Sequence, residues 1–174
     1  MKPALLLVAW LLLPCMAWAG AAHEHGAVRL DIVVEASTIT LQLETPLDNL
    51  LGFERAPRNE AERKSVAALA AQLRAAEALF KIDAAAQCTL GRVELASAAL
   101  QLGPPGPAAA EREHADLDAS FTFNCKDGAK AGFIDITLFD AFRRMKRIEV
   151  QVAAPTGQFK RTLKAPAPRI VLGR

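Results

Sequence analysis

Apolar and polar side chains alternate with a period of two at several places along the chain, and those places set the expected fold. Val28, Leu30, Ile32 and Val34 alternate with Arg29, Asp31 and Glu35, the signature of a strand with one face buried; Val33 breaks the polar set. Ala36-Ser37-Thr38 allows a short turn, and Ile39, Leu41 and Leu43 then alternate with Thr40, Gln42 and Glu44, so the two runs form an antiparallel hairpin. Cys88 to Leu95 reads as another strand. From His114 to Cys125 the alternation is the clearest in the chain, with Leu117, Ala119, Phe121 and Phe123 set against Asp116, Asp118, Ser120 and Thr122. These two strands flank a Pro/Ala-rich loop at 101–113 and make a long hairpin with that loop at its tip. Phe133 to Leu138, Ile148 to Val152 and Gln158 to Leu163 add further strands, and Ile170 to Leu172 a last edge strand.

Helical spacing occurs in one long stretch. Asn59 is a good N-cap, Glu60 and Glu62 suit the first turn, and Val66, Leu69, Leu73, Ala76 and Phe80 recur at intervals of three and four. The spacing predicts an amphipathic helix of about 22 residues, about 33 Å long. Shorter helical turns are expected at Pro46–Leu51, where Thr45 can cap and Gly52 can terminate, and at Leu138–Phe142, anchored by two Phe rings. The predicted fold class is α+β: a single domain with an antiparallel sheet of about six or seven strands and one long amphipathic helix packed on it.

The N-terminus does not belong to that domain. Lys2 precedes an apolar run from Ala4 to Leu13, and Ala17-Trp18-Ala19 supplies a small-x-small cleavage pattern. This reads as a secretory signal peptide at 1–19, with cleavage after Ala21 or Ala22 as alternatives; the run is too short to span a membrane. Pro14 before Cys15 argues against lipoprotein processing. The mature domain, 20–174, then carries 20 basic and 19 acidic residues once Lys2 is removed. That balance offers no electrostatic reason to expect nucleic acid or stable membrane insertion, and Arg143, Arg144, Lys146 and Arg147 read as a solvated turn.

Cys88 and Cys125 are the only cysteines of the mature chain. In an exported protein an even pair reads as a disulfide, here closing a loop of 37 positions (125 minus 88). Two thiolates on a metal are the alternative, disfavoured in an oxidising compartment.

Candidate chemistry is sparse. A Ser-His-Asp or Cys-His catalyst needs a histidine base beside a nucleophile, yet only His114 lies within the body of the domain, and no phosphate loop, dinucleotide fingerprint or His-Glu-x-x-His helix is present. An enzyme is not expected. Metal binding remains: His23-Glu24-His25-Gly26 heads the first strand, and residues i and i+2 of an extended segment point to one side, so two imidazoles can meet one ion. Completing ligands would come from Glu24, the new N-terminal amine, Glu111, Glu113, His114 or Asp116. Imidazole with carboxylate suits Zn²⁺, and also Cu²⁺ or Ni²⁺. The plainer alternative is a solvated terminus whose histidines hold nothing.

Several of these motifs together resemble the ZrgA-like family of periplasmic zinc-regulated, zinc-binding proteins. They are His23-Glu24-His25-Gly26 before an alternating strand, the string from Pro46 through Asn49, Leu50, Gly52, Phe53, Glu54, Ala56 and Pro57, then Cys88, and a His-headed strand ending Phe121-Thr122-Phe123-Asn124-Cys125. Leu138 to Phe142 and Gly157-Gln158 resemble that family's C-terminal half. The resemblance implies a periplasmic accessory protein that binds a divalent metal ion, zinc first, and buffers or delivers it to a component of a metal-uptake transporter. It places His23, His25 and His114 at family histidine positions. Two departures narrow the expectation: the loop between the cysteine strands, Gly103 to Glu113, has no histidine, and Arg55 stands where the family often has one. One modest site, rather than a high-capacity store, is what the resemblance leaves. The competing expectation is a non-catalytic structural or protein-binding module that has lost its metal.

Overall fold

The computed structural model describes residues 24–103, 115–166 and 169–172. Nine strands occur among them, β1 (Ala27–Val34), β2 (Thr38–Pro46), β3 (Phe80–Ile82), β4 (Cys88–Ala96), β5 (Asp116–Cys125), β6 (Phe133–Ile136), β7 (Arg147–Ala154), β8 (Gly157–Lys164) and β9 (Arg169–Val171). The α-helices are α1 (Leu47–Leu51), α2 (Glu60–Arg74) and α3 (Leu138–Ala141). Six strands form one sheet in the order β4-β5-β2-β1-β7-β8, and three form a second in the order β3-β6-β9.

This corrects the α+β expectation. Among the described residues the protein is mostly β, with two sheets in place of one and no helix longer than the 15 residues of α2. α2 runs for 15 residues, and at Ala75 the backbone leaves the helical region, with φ −86° and ψ 48°. A single 3₁₀ turn at Ala76–Ala78 follows, and Phe80 begins β3, which pairs with β6. The sequence pattern misleads because Leu69, Leu73, Ala76 and Phe80 are all buried, as a continuous helix would require. Phe80 reaches the core from a strand, and pairing across to Ile136 outweighs the modest helical preference of an Ala-rich stretch.

The six-stranded sheet is also not purely antiparallel. β1 runs antiparallel to β2 but parallel to β7, with Leu30 opposite both Leu43 and Val150. Its inner face carries Leu30, Ile32, Ile39, Leu41, Phe121, Ile148 and Val150, each at most 1% exposed. Removing side chains of this size from water stabilises by about 1.5–3 kcal/mol each before entropy is counted. The Phe80 and Phe121 rings meet at 5.0 Å between centroids, so one aromatic pair ties the small sheet to the large one. α2 adds Val66, Leu69, Ala70 and Leu73 to the same core.

The expected β1–β2 hairpin and the long β4–β5 hairpin are both present. Cys88 and Cys125 stand opposite each other at the base of the second hairpin and form a disulfide. Gly52 ends α1 with φ +79°, the left-handed conformation expected of it. Thr45 does not cap that helix; its hydroxyl oxygen accepts from Asn49 instead.

Candidate functional site

The starts of β1, β5 and β7 and the end of β2 lie at one end of the six-stranded sheet. The chain turns into β1 at Gly26, whose φ of +84° only glycine adopts freely, and whose missing Cβ leaves room for the Lys146 side chain. Its carbonyl accepts from the N–H groups of both Lys146 and Arg147, at 2.7 and 3.0 Å, which splices the N-terminal segment onto the start of β7.

Asn49 of α1 holds the other side. It is 1% exposed, accepts from the Gly26 N–H at 2.7 Å, and donates to the Ala27 carbonyl at 2.8 Å and to Thr45 Oγ1 at 3.1 Å. Nothing in its polarity marked it as structural; its place in the string before Gly52-Phe53-Glu54 was the available signal. Asn49→Ala leaves the Gly26 N–H buried and unmet, and is expected to cost about 2–3 kcal/mol in urea unfolding. A change below about 0.5 kcal/mol would show that the N-terminal segment is held without it.

Two side chains of the His-Glu-His-Gly motif are described, and they point to different partners. Glu24 meets Arg147 through two hydrogen bonds, Nη1 to Oε1 and Nη2 to Oε2, the second at 2.6 Å. Hydrogen bonding from the guanidinium holds the Glu24 carboxyl below its ordinary pKa, and the guanidinium is pushed up in return. Arg147 belongs to the basic cluster read as a solvated turn; two of its members have work here, because Arg144 also lies against Gly52 and faces Asp48 at 3.5 Å. His25 turns to Glu54, with Nε2 3.2 Å from Oε1.

Glu54 is absent from the ligand set read from the sequence, where it appears only within the string from Pro46 to Pro57. The loop that carries it is rigidly anchored. Arg55 lies over the Phe53 ring at 4.9 Å and donates to both oxygens of Glu62, at 2.8 and 2.9 Å. Glu62 also accepts from the Arg58 N–H at 2.6 Å, and its own N–H donates to the N-cap Asn59. The Arg55 guanidinium, with the Arg58 N–H, brings the Glu62 carboxyl down to about 2. Arg55 thus fastens the loop beside Glu54 to the first turn of α2.

Asp116 opens β5 opposite Pro46 and is buried, and Ala115 before it accepts from the Leu47 N–H at 3.0 Å. Only β2 separates β5 from β1, which puts their starts two strand spacings apart, about 10 Å. His23, Glu111, Glu113 and His114 lie outside the described residues. Among the described residues no three His, Cys, Asp or Glu side chains converge as a metal cage. What the arrangement offers is one imidazole and one carboxylate at a separation with two meanings. It suits an ion pair, and it suits neighbouring ligands of one ion, since in a tetrahedral zinc shell with bonds of about 2.0–2.1 Å adjacent donors sit about 3.3 Å apart.

Residues 22–172 match the family model described as ZrgA family zinc uptake protein. No curated protein matches the chain.

Proposed function

The chain belongs to the ZrgA family of zinc uptake proteins, and from that premise we propose that it is an exported, periplasmic accessory protein that binds Zn²⁺ as cargo at the His25 end of the large sheet. The observation that carries the reading is the His25–Glu54 pair, a nitrogen and an oxygen donor 3.2 Å apart, the imidazole largely open to solvent and the carboxylate about one-third exposed. Both donor types suit zinc, and a half-open pair lets an ion enter and leave. The anchored Glu54 loop and the Asn49 clamp pre-set that pair, which lowers the ordering cost of binding.

The remaining ligands are assigned by chain adjacency. His23 directly precedes Glu24, and His114 directly precedes Ala115; both described neighbours lie at this end of the sheet. Glu24, committed to Arg147, serves to fix the segment and not to ligate. The disulfide is consistent with an oxidising compartment. No described helix is long and apolar enough to cross a membrane.

Isothermal titration of the mature protein with Zn²⁺ tests this. Binding of one ion per chain in the micromolar range is expected, weakened at least tenfold, about 1.4 kcal/mol, in His25→Ala and in Glu54→Gln. Ligation needs neutral imidazole, so affinity falls on acidification. No binding at about 100 μM Zn²⁺, or equal binding in a His23→Ala, His25→Ala double variant, would leave His25–Glu54 as a surface ion pair of a metal-free module.

A further inference from the structure

β8 closes the six-stranded sheet on one side, and its outer edge pairs with no described strand. The edge is long and lacks two of the usual protecting devices, though its cations oppose pairing with a like-charged strand. Its eight residues contain no proline, and the ladder to β7 runs without a bulge from Arg147↔Lys164 to Ala154↔Gly157. The opposite edge, β4, has a register shift between Leu90 and Arg92 and carries the disulfide. In an antiparallel ladder every second residue of an edge strand turns its N–H and C=O outward, so β8 offers a row of unmet main-chain groups to an extended segment.

The two faces of β8 specify what that segment carries. Inward, Phe159 and Leu163 are only partly buried and line a groove of about 490 Å³ with Ile170, Val171 and Leu172, edged by Arg161 and Arg169. Val171 is 56% exposed, one of two large apolar side chains so exposed among the described residues. The groove is stiffened by Thr156, whose hydroxyl donates to the Leu172 carbonyl at 3.1 Å. Outward, Lys160 and Lys164 make no ion pair among the described residues, while on the groove face Arg161 lies over the Phe159 ring at 5.4 Å. The surrounding charge has the same sign: residues 126–174 hold 11 basic and 4 acidic side chains, whereas residues 20–125 hold 9 and 15.

We infer that β8 is a docking edge for an extended acidic segment of another protein, alternating apolar side chains toward the groove with carboxylates over Lys160 and Lys164. A second copy does not fit, because β8 against β8 sets cation against cation. The inference is independent of the metal site, which lies with the N-terminal segment.

The test uses the full mature chain and a fluorescein-labelled octapeptide alternating valine and aspartate, with a blocked-order peptide of the same composition as control. The alternating peptide is expected to bind at micromolar concentration, at least tenfold more tightly than the control, and to slow amide hydrogen exchange along β8 severalfold. Lys160→Glu/Arg161→Glu/Lys164→Glu is expected to weaken it at least tenfold. Equal binding of the two peptides, unchanged affinity in the triple variant, or binding that leaves β8 exchange unaltered would each overturn the inference. The exchange measurement needs no variant and holds even if the triple change perturbs folding.

Discussion

Replacing Phe121 by alanine lowers the free energy of unfolding by about 3–5 kcal/mol, the range for a large aromatic lost from a closed core. Phe121 is fully buried and stands in the middle of β5, opposite Leu41 on β2 and Val93 on β4. Its ring also meets Phe80, the first residue of β3. The substitution therefore opens a cavity where the two sheets join, a place with backbone ladders on both sides and little freedom to collapse. Urea unfolding measures the loss, and Phe80→Ala completes a double-mutant cycle. A coupling of about 0.5–1.5 kcal/mol is expected between the rings. Strict additivity would mean that the aromatic contact contributes nothing beyond its area.

The second large effect is reduction of the Cys88–Cys125 bridge. The half-cystines are separated by 37 residues, and the chain-entropy model assigns such a loop about 3–4 kcal/mol. The bridge is the covalent tie at the base of the β4–β5 hairpin. β4 is an edge strand held by one neighbour, with a register shift two residues beyond the bridge. Reduced protein is therefore expected to unfold at lower urea, and Cys88→Ala/Cys125→Ala to match reduced wild type. Amide exchange should rise first in β4, the strand with least other support. A difference below about 1 kcal/mol between oxidised and reduced forms would show that the unfolded chain gains little freedom from the cut.

Where sequence and structure agree, local periodicity was enough. β1, β2, β5 and β7 each bury one face, so alternation of Val, Leu, Ile and Phe with polar residues marks them directly. β8 was legible although exposed, because a turn precedes it and Phe159 and Leu163 still alternate. The end of α2 was not legible, since Ala76 and Phe80 are buried in both the helical and the strand alternatives. Parallel pairing of β1 with β7 was equally invisible: alternation states which face is buried, not which neighbour shares the ladder. At the candidate site His25 was readable from its motif, but its partner Glu54 lies 29 positions away (54 minus 25) in a loop set by Arg55 and Glu62. Arg147 reaches Glu24 only because β7 begins beside β1, which again depends on the parallel register.

That register has a temporal consequence. Ala27 and Arg147 are ladder partners 120 positions apart (147 minus 27), so the central strand waits for nearly the whole polypeptide before its second side is covered. Contacts of such long range slow folding, and β1 shows an open hydrogen-bonding side until β7 arrives. Because Gly26 is held by the Lys146 and Arg147 amides, the end bearing His25 takes shape last. A chain truncated before β7 would hold the His25 segment from the α1 side alone, through Asn49; the finished molecule holds it from both sides.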